Sequence, residues 1–170
     1  MVCFLIVDTE LNVGAGHTKR CLNLAEELRK HLEVSFIVTQ VKSIYSKLIS
    51  RSGFEVQALQ KINKQKNSVC IVDGYNFSDE ILNYLKENYG KLVYLNDREK
   101  FSQIYNIIIS NFELKGKQSK RHTLYGNTKY SLVRPLFKNK NIVTRKKIKN
   151  LFINFGMKDS FDFTLKTVFL

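Results

Sequence analysis

Val2-Cys3-Phe4-Leu5-Ile6-Val7-Asp8, followed after a short gap by Gly14-Ala15-Gly16-His17-Thr18-Lys19-Arg20-Cys21-Leu22-Asn23-Leu24-Ala25-Glu26-Glu27-Leu28, decides the fold. The first stretch is an unbroken apolar run ending in an acid, the pattern of a parallel strand buried on both faces. In the second, Cys21, Leu24, Ala25, Leu28 and Leu32 fall on one helical stripe, with Glu26 and Lys30 paired at i, i+4 outside it. Between them a glycine-flanked loop delivers His17 to the start of the helix. Glycine permits a tight turn and close approach of backbone to a ligand. Free N–H groups at a helix start favour anions and disfavour a protonated imidazole. A neutral histidine held beyond a strand end is a candidate general base; a histidine that merely caps the helix is the alternative.

Working outward, Glu33–Thr39 reads as a second strand and Ser43–Ser52 as a helix closing near Gly53. Phe54–Leu59 alternates as a strand does, and Gln60–Asn67 reads as a polar connector. Ser68–Asp73 is again short and apolar. Gly74 and Tyr75 turn the chain, and Ser78 is placed to cap a helix to about Tyr89, with Asp79 and Glu80 in its first turn. Lys91–Asn96 and Ile107–Ser110 are further strands. Alternating strands and helices joined by short loops predict a Rossmann-like, doubly wound α/β domain with a mainly parallel sheet. Ligands in such sheets sit outside the carboxyl ends of the strands. His17, Asp73, Tyr75, Asn96, Asp97, Ser110 and Asn111 all fall at or just beyond such ends.

Length and composition narrow the class. The chain has 170 residues, 44% of them hydrophobic, enough for one well-cored domain with a little left over. No apolar run approaches the ~20 residues of a membrane helix. The start lacks the basic region of a secretory signal, so a cytoplasmic protein is expected. Cys3, Cys21 and Cys70 show no ligand-like pairing and read as reduced, buried thiols. The net charge of +13 is regional. Residues 1–110 carry 14 basic and 12 acidic side chains, whereas residues 111–150 carry 12 basic side chains and the single acid Glu113. That segment is a solvated basic linker or a phosphate-facing surface.

Several motifs fail on inspection. A dinucleotide fingerprint would need a third glycine where Lys19 stands, and an acid at the second strand end, which closes with Thr39-Gln40. No phosphate loop follows Gly16. His31 and His122 lack partners at metal spacing and read as surface residues. Asp73 and Asp97 are site candidates or strand-ending acids that bond loop amides. Tyr75 lines a site or packs on the sheet edge. No Ser–His–Asp or two-carboxylate arrangement is evident.

Four segments, in order, carry a resemblance. They are Val13-Gly14-x-Gly16-His17-x-x-Arg20-Cys21-Leu22-x-Leu24-Ala25-x-x-Leu28; Ile71-Val72-Asp73-Gly74-Tyr75; Leu124 to Phe137; and Phe152-Ile153-Asn154-Phe155-Gly156-Met157-Lys158-Asp159. Together the chain resembles the nucleotide-sugar hydrolases of pseudaminic acid biosynthesis, which act on UDP-2,4-diacetamido-2,4,6-trideoxy-β-L-altropyranose, and the related spore-coat polysaccharide proteins. It departs from them at Met157, where a second glycine is usual, and at Asn96-Asp97, where paired aspartates are common.

The resemblance implies the N-terminal half of a GT-B architecture. It implies an inverting hydrolysis in which water attacks the anomeric carbon and UDP departs, with no cofactor and no metal. His17 falls on the water-activating histidine and Tyr75 on a tyrosine near the sugar. Gly14, Ala15, Gly16, Arg20, Asp73 and Asp97 are expected at the substrate. The expected organisation is a substrate-side domain over 1–137, a basic linker over 138–149, and the first strand (151–155) and helix (from about Ser160) of a second, UDP-binding domain over 150–170. The remainder of that domain is expected to lie outside this chain. His17 is expected to be solvent-accessible, on the same sheet edge as Tyr75. Two alternatives stand beside this: a GT-B transferase similar to the peptidoglycan N-acetylglucosaminyltransferase, and a non-catalytic basic module binding anions or nucleic acid. The Arg20-Cys21-Leu22 continuation favours the hydrolase, and no nucleic-acid motif supports the module.

Overall fold

A computed structural model describes residues 1–10, 15–61, 65–98, 102, 104–113, 123–133, 137, 147–155, 159 and 161–169. The chain divides into two compact units, Met1–Val133 and Arg134–Leu170.

In the first unit the elements run β1 (Val2–Val7), α1 (Gly16–Leu28), β2 (Glu33–Val38), α2 (Ile44–Arg51), β3 (Glu55–Ala58), β4 (Gln65–Asp73), α3 (Asp79–Asn88), β5 (Tyr89–Asn96), β6 (Ile107–Ser110) and β7 (Thr123–Gly126). All seven strands form one parallel sheet in the order β3-β2-β1-β4-β5-β6-β7. This is a Rossmann-like, doubly wound α/β fold. The chain works outward from β1 to β3, then returns to the other side of β1 with β4. The topological switch point therefore lies between β1 and β4, where such sheets open a crevice.

Side-chain parity along the strands builds two cores. Cys3, Leu5 and Val7 of β1 face α1 and α2, packing with Cys21, Ala25, Phe36 and Ile49. Phe4 and Ile6 face α3, packing with Cys70, Val72, Leu82 and Leu85. Burial on both faces is why these strands read as continuous apolar runs and not as alternating ones. The three cysteines are free and buried, and burial pushes the Cys21 and Cys70 thiols well up.

The ends of the central strands are tied to one another. The Asp8 amide donates to the Asp73 carbonyl (3.2 Å), and the Thr9 amide to Thr39 Oγ1 (3.0 Å). The buried Asp8 carboxylate accepts from Asn76 Nδ2 at 3.0 Å and Thr39 Oγ1 at 3.3 Å. Gly74 is required by this closeness: a Cβ there would lie 2.7 Å from both Asp8 Cβ and the Phe77 ring. Side chains also start the helices. Ser43 and Ser78 accept from the amides of Ser46 (3.0 Å) and Ile81 (3.4 Å) respectively.

Some boundaries differ from those read in the sequence. β4 starts at Gln65, inside the expected polar connector, and β7 is an additional short strand at the sheet edge. In the second unit residues 151–155 do not form the expected strand. Strand backbone needs a neighbour to complete its ladder, and no described segment of this unit supplies one. Leu151 and Phe152 are accordingly exposed. The helix is short, α4 (Phe163–Val168), with Asp159 accepting from the Phe163 and Thr164 amides at 2.9 and 2.7 Å. Among the described residues no helix is long and apolar enough to cross a membrane.

Leu5 is fully buried in the central strand. Leu5→Ala is expected to cost about 2–5 kcal/mol through lost transfer energy and a cavity. Val41→Ala, at a position 48% exposed, should stay within about 0.5 kcal/mol. Urea denaturation followed by circular dichroism measures both, and equal effects would contradict this placement of the core.

Candidate active site at the switch point

Asp73 is the last residue of β4 and is completely buried. It lies two residues after Ile71, whose side chain belongs to the core under α1, so strand parity turns Asp73 toward the same helix. The first turns of α1 present His17, Arg20 and Cys21, at i, i+3 and i+4, on one face. This is the polar beginning of the stripe that continues into the core.

The consequence is a dense set of donors on one carboxylate. His17 Nδ1 lies 2.6 Å from Asp73 Oδ1. Arg20 bonds the same carboxylate with two nitrogens, Nη2 to Oδ1 at 2.5 Å and Nε to Oδ2 at 2.8 Å. Cys21 Sγ donates to Oδ2 at 3.3 Å. Burial alone would push the Asp73 carboxyl up. The hydrogen bonds from His17 and Arg20, with the Arg20 charge, outweigh burial and hold it below the usual carboxylate range. An ionised Asp73 cannot donate, so its short contact with His17 requires a proton on Nδ1. That leaves Nε2 of a neutral imidazole as the acceptor. Arg20 Nη2 also lies 3.2 Å from Nδ1, a proximity that follows from both groups sharing Oδ1.

A second carboxylate completes the site. Asp97, just past β5, accepts from the Tyr75 hydroxyl at 2.7 Å and from Arg20 Nη2 at 3.4 Å. Burial, then the hydrogen bond to Asp97 and its charge, push the Tyr75 phenol up to about 12, so it is a donor at neutral pH. The Tyr75 ring meets the His17 ring edge-on at 4.5 Å, and the Arg98 guanidinium stacks 3.6 Å from the Tyr75 centroid. Gly16, His17, Arg20, Tyr75 and Asp97 line a cleft of about 240 Å³ at the carboxyl edge. A Cβ on Gly16 would meet nothing within 4 Å, so its hydrogen faces open space.

The sequence expectations are therefore met in part. His17 and Tyr75 share the expected sheet edge, but His17 is only 5% exposed. Its anchoring to Asp73 and the Tyr75 ring against it cover the imidazole, correcting the expectation of a freely accessible side chain. His17 is not a helix cap either, since the Ala15–Gly16 helix start has no side-chain cap. Arg20 spends Nε and Nη2 on the two carboxylates. Among the described residues the Asp73 carboxylate bonds side chains of α1 and no loop amide, and it sits behind His17. Ala15 is buried at the N-cap position and does not line the cleft. Gly14 lies outside the described residues, as do His122, Pro135, Met157 and most of the basic 111–150 segment. The His17–Asp73 pair itself was not anticipated. Its signal was available in the parity of Ile71 and Asp73 and in the His17/Arg20/Cys21 spacing. Among the described residues no group of three or more His, Cys, Asp or Glu side chains could hold a metal ion.

Comparison with known proteins adds one relative. The chain is 29% identical to the uncharacterized protein MJ1062 of Methanocaldococcus jannaschii over 186 aligned residues, covering 96% of this chain and 38% of that protein. The chain thus spans 38% of the length of this curated relative. No family model matches the chain, and no solved structure matches it.

The depressed Asp73 carboxyl makes a signed prediction. A group whose folded pKa is lowered stabilises the native state above its unfolded value, about 3.9 for Asp, and loses that contribution as pH falls through the folded value. Asp73→Asn leaves Arg20 without its buried counter-charge and should cost about 3–5 kcal/mol at neutral pH. The gap to the wild type should close as the pH drops below about 4. Thermal or urea melts from pH 7 to pH 2 test this, and a gap independent of pH would contradict an ionised Asp73.

Proposed function

We propose that this chain is the substrate-side half of a nucleotide-sugar hydrolase, releasing UDP from UDP-2,4-diacetamido-2,4,6-trideoxy-altropyranose in pseudaminic acid biosynthesis. The observation that carries the reading is a convergence. Segments far apart in the sequence, each similar to that hydrolase family, meet at one strand edge. His17, Arg20 and Cys21 from the first bond Asp73 from the second. Tyr75 from the second packs on His17. Tyr130, Ser131 and Leu132 from the third line a cavity together with Arg20. The Arg20-Cys21 pair that favours the hydrolase over a transferase is thereby part of the base's support.

In this reading the cleft holds the sugar, and His17 Nε2 takes a proton from water as its oxygen bonds the anomeric carbon. The bond from that carbon to the diphosphate oxygen breaks with its electron pair, UDP leaves, and configuration inverts. Asp73, accepting from Nδ1–H, orients the imidazole and stabilises the imidazolium that forms. Tyr75, fixed by Asp97, walls the site and orients sugar or water. The UDP moiety is assigned to a second Rossmann-like domain on another stretch of polypeptide. The 38% coverage of MJ1062 is compatible with that arrangement. Only interactions that strengthen in the transition state raise the rate, so without that partner for the leaving group turnover should be negligible.

Two measurements test this. Calorimetry of the 170-residue chain with UDP should show no micromolar binding, and micromolar binding would contradict the half-site. With the second domain supplied, UDP release should fall ~10²–10⁴-fold in His17→Asn through kcat more than KM, and less in Tyr75→Phe. Wild-type turnover by a folded His17→Asn would remove His17 from the mechanism.

A further inference from the structure

Tyr75 is a wall shared by two cavities. One is the cleft that holds His17, and the other, of about 280 Å³, is lined by Phe77, Leu82 and Tyr105. Arg98 lines the larger cavity and not the cleft. We propose that Arg98 is a positioning residue of the candidate site: stacked on the Tyr75 ring, it holds that ring against His17 and keeps it out of the larger cavity. The proposal rests on reading the His17 cleft as the catalytic one and adds the group that keeps it walled.

Position 98 is itself fixed by the end of β5. Asn96, the buried last residue of that strand, donates from Nδ2 to the Arg98 carbonyl at 2.6 Å and accepts the Arg98 amide on Oδ1 at 3.1 Å. An amide side chain answers both backbone groups, whereas an ionised carboxylate has no proton for the carbonyl. These two bonds close the chain over 96–98 and set Asp97 and Arg98 together against Tyr75. Asp97 takes the hydroxyl at 2.7 Å, and the Arg98 guanidinium lies 3.6 Å from the ring centroid. The two contacts restrain different motions. A hydrogen bond at one end leaves the ring free to swing about its hydroxyl, and a contact on its face removes that freedom.

Among the described residues the Arg98 guanidinium forms no ion pair, so no carboxylate competes with the ring for it. A planar guanidinium also stacks on an aromatic face in a way that a lysine ammonium does not. The effect reaches His17 through the ring. Asp73 fixes the imidazole at Nδ1, and the Tyr75 ring, 4.5 Å away, holds it at a second point and leaves it only 5% exposed. Released from Arg98, Tyr75 has the larger cavity beside it to turn into. His17 then loses one of its two restraints and meets bulk water.

Imidazole 1H–13C spectra of the 170-residue chain test this without substrate, because the Tyr75 ring current displaces the signals of a histidine ring 4.5 Å away. Tyr75→Leu supplies the His17 positions with no ring present. Arg98→Ala, at an exposed position where folding is not at stake, should lower the ratio of closed to open Tyr75 about two- to fivefold, the scale of one exposed cation–π contact. The His17 signals should move accordingly, from their wild-type positions toward those of Tyr75→Leu. Added to Tyr75→Leu, the same substitution should leave them where they are, since its effect passes through the ring. Arg51→Ala, which removes a charge from the exposed end of α2, should move nothing. His17 signals unchanged in Arg98→Ala, or displaced equally with and without Tyr75, would overturn the proposal. Neither outcome bears on whether His17 takes a proton from water. Conversely, wild-type UDP release by a folded His17→Asn would end that reading and leave the Arg98 contact standing.

Discussion

A single carboxylate, buried without solvent at the end of a central strand, organises this edge of the molecule. Removing Asp73 from water is expensive, and it is ionised only because four donors from one helix converge on it. That demand fixes how α1 sits against β4. It also fixes the His17 ring, the direction of the Arg20 fork, and through Arg20 the position of Asp97 and Tyr75. Such an ion cluster is a weak source of net stability, because desolvation offsets much of the Coulombic gain. Its effect is to specify one arrangement of the groups around the cleft.

The sheet makes this arrangement possible. With β1 and β4 adjacent at the switch point, the loop after β1 and the end of β4 necessarily face each other across the crevice. The Asp8 ties to Asn76 and Thr39, and the absence of a Cβ at Gly74, bring those ends close enough for α1 to reach the β4 carboxylate. Two apolar cores clamp the strands from both faces, so the polar groups are carried on rigid elements. Only the side chains at the strand ends need be spent on chemistry.

Much of this was legible in the sequence because periodicity speaks directly to burial. The runs Val2–Val7, Ser68–Asp73 and Lys91–Asn96 announced strands, the first of them one buried on both faces, and the 21/24/25/28 stripe announced α1. The site was legible only as separate candidates at strand ends. Joining them needs the strand order, which places β4 beside β1, and local patterns do not encode that. β7 was missed because Thr123–Gly126 is short and half-buried at the edge, giving little alternation to read. The strand expected at 151–155 failed for the complementary reason. Leu-Phe-Ile-Asn-Phe has the propensity, but a strand forms only where another supplies the ladder. The burial of His17 was invisible as well, since it depends on a tyrosine arriving from another loop.

The central claim is that Asp73 accepts from His17 Nδ1 and leaves Nε2 free to take a proton. The most direct measurement is long-range 1H–15N NMR of the 15N-labelled chain at about pH 8.5, well above the ordinary imidazole value. The account predicts that His17 is in the Nδ1–H tautomer, and that Asp73→Asn erodes this preference. A predominant Nε2–H tautomer would mean that Nδ1 accepts from Arg20 instead. The ring would then have no free acceptor toward the cleft, and the account of His17 as the base would be contradicted.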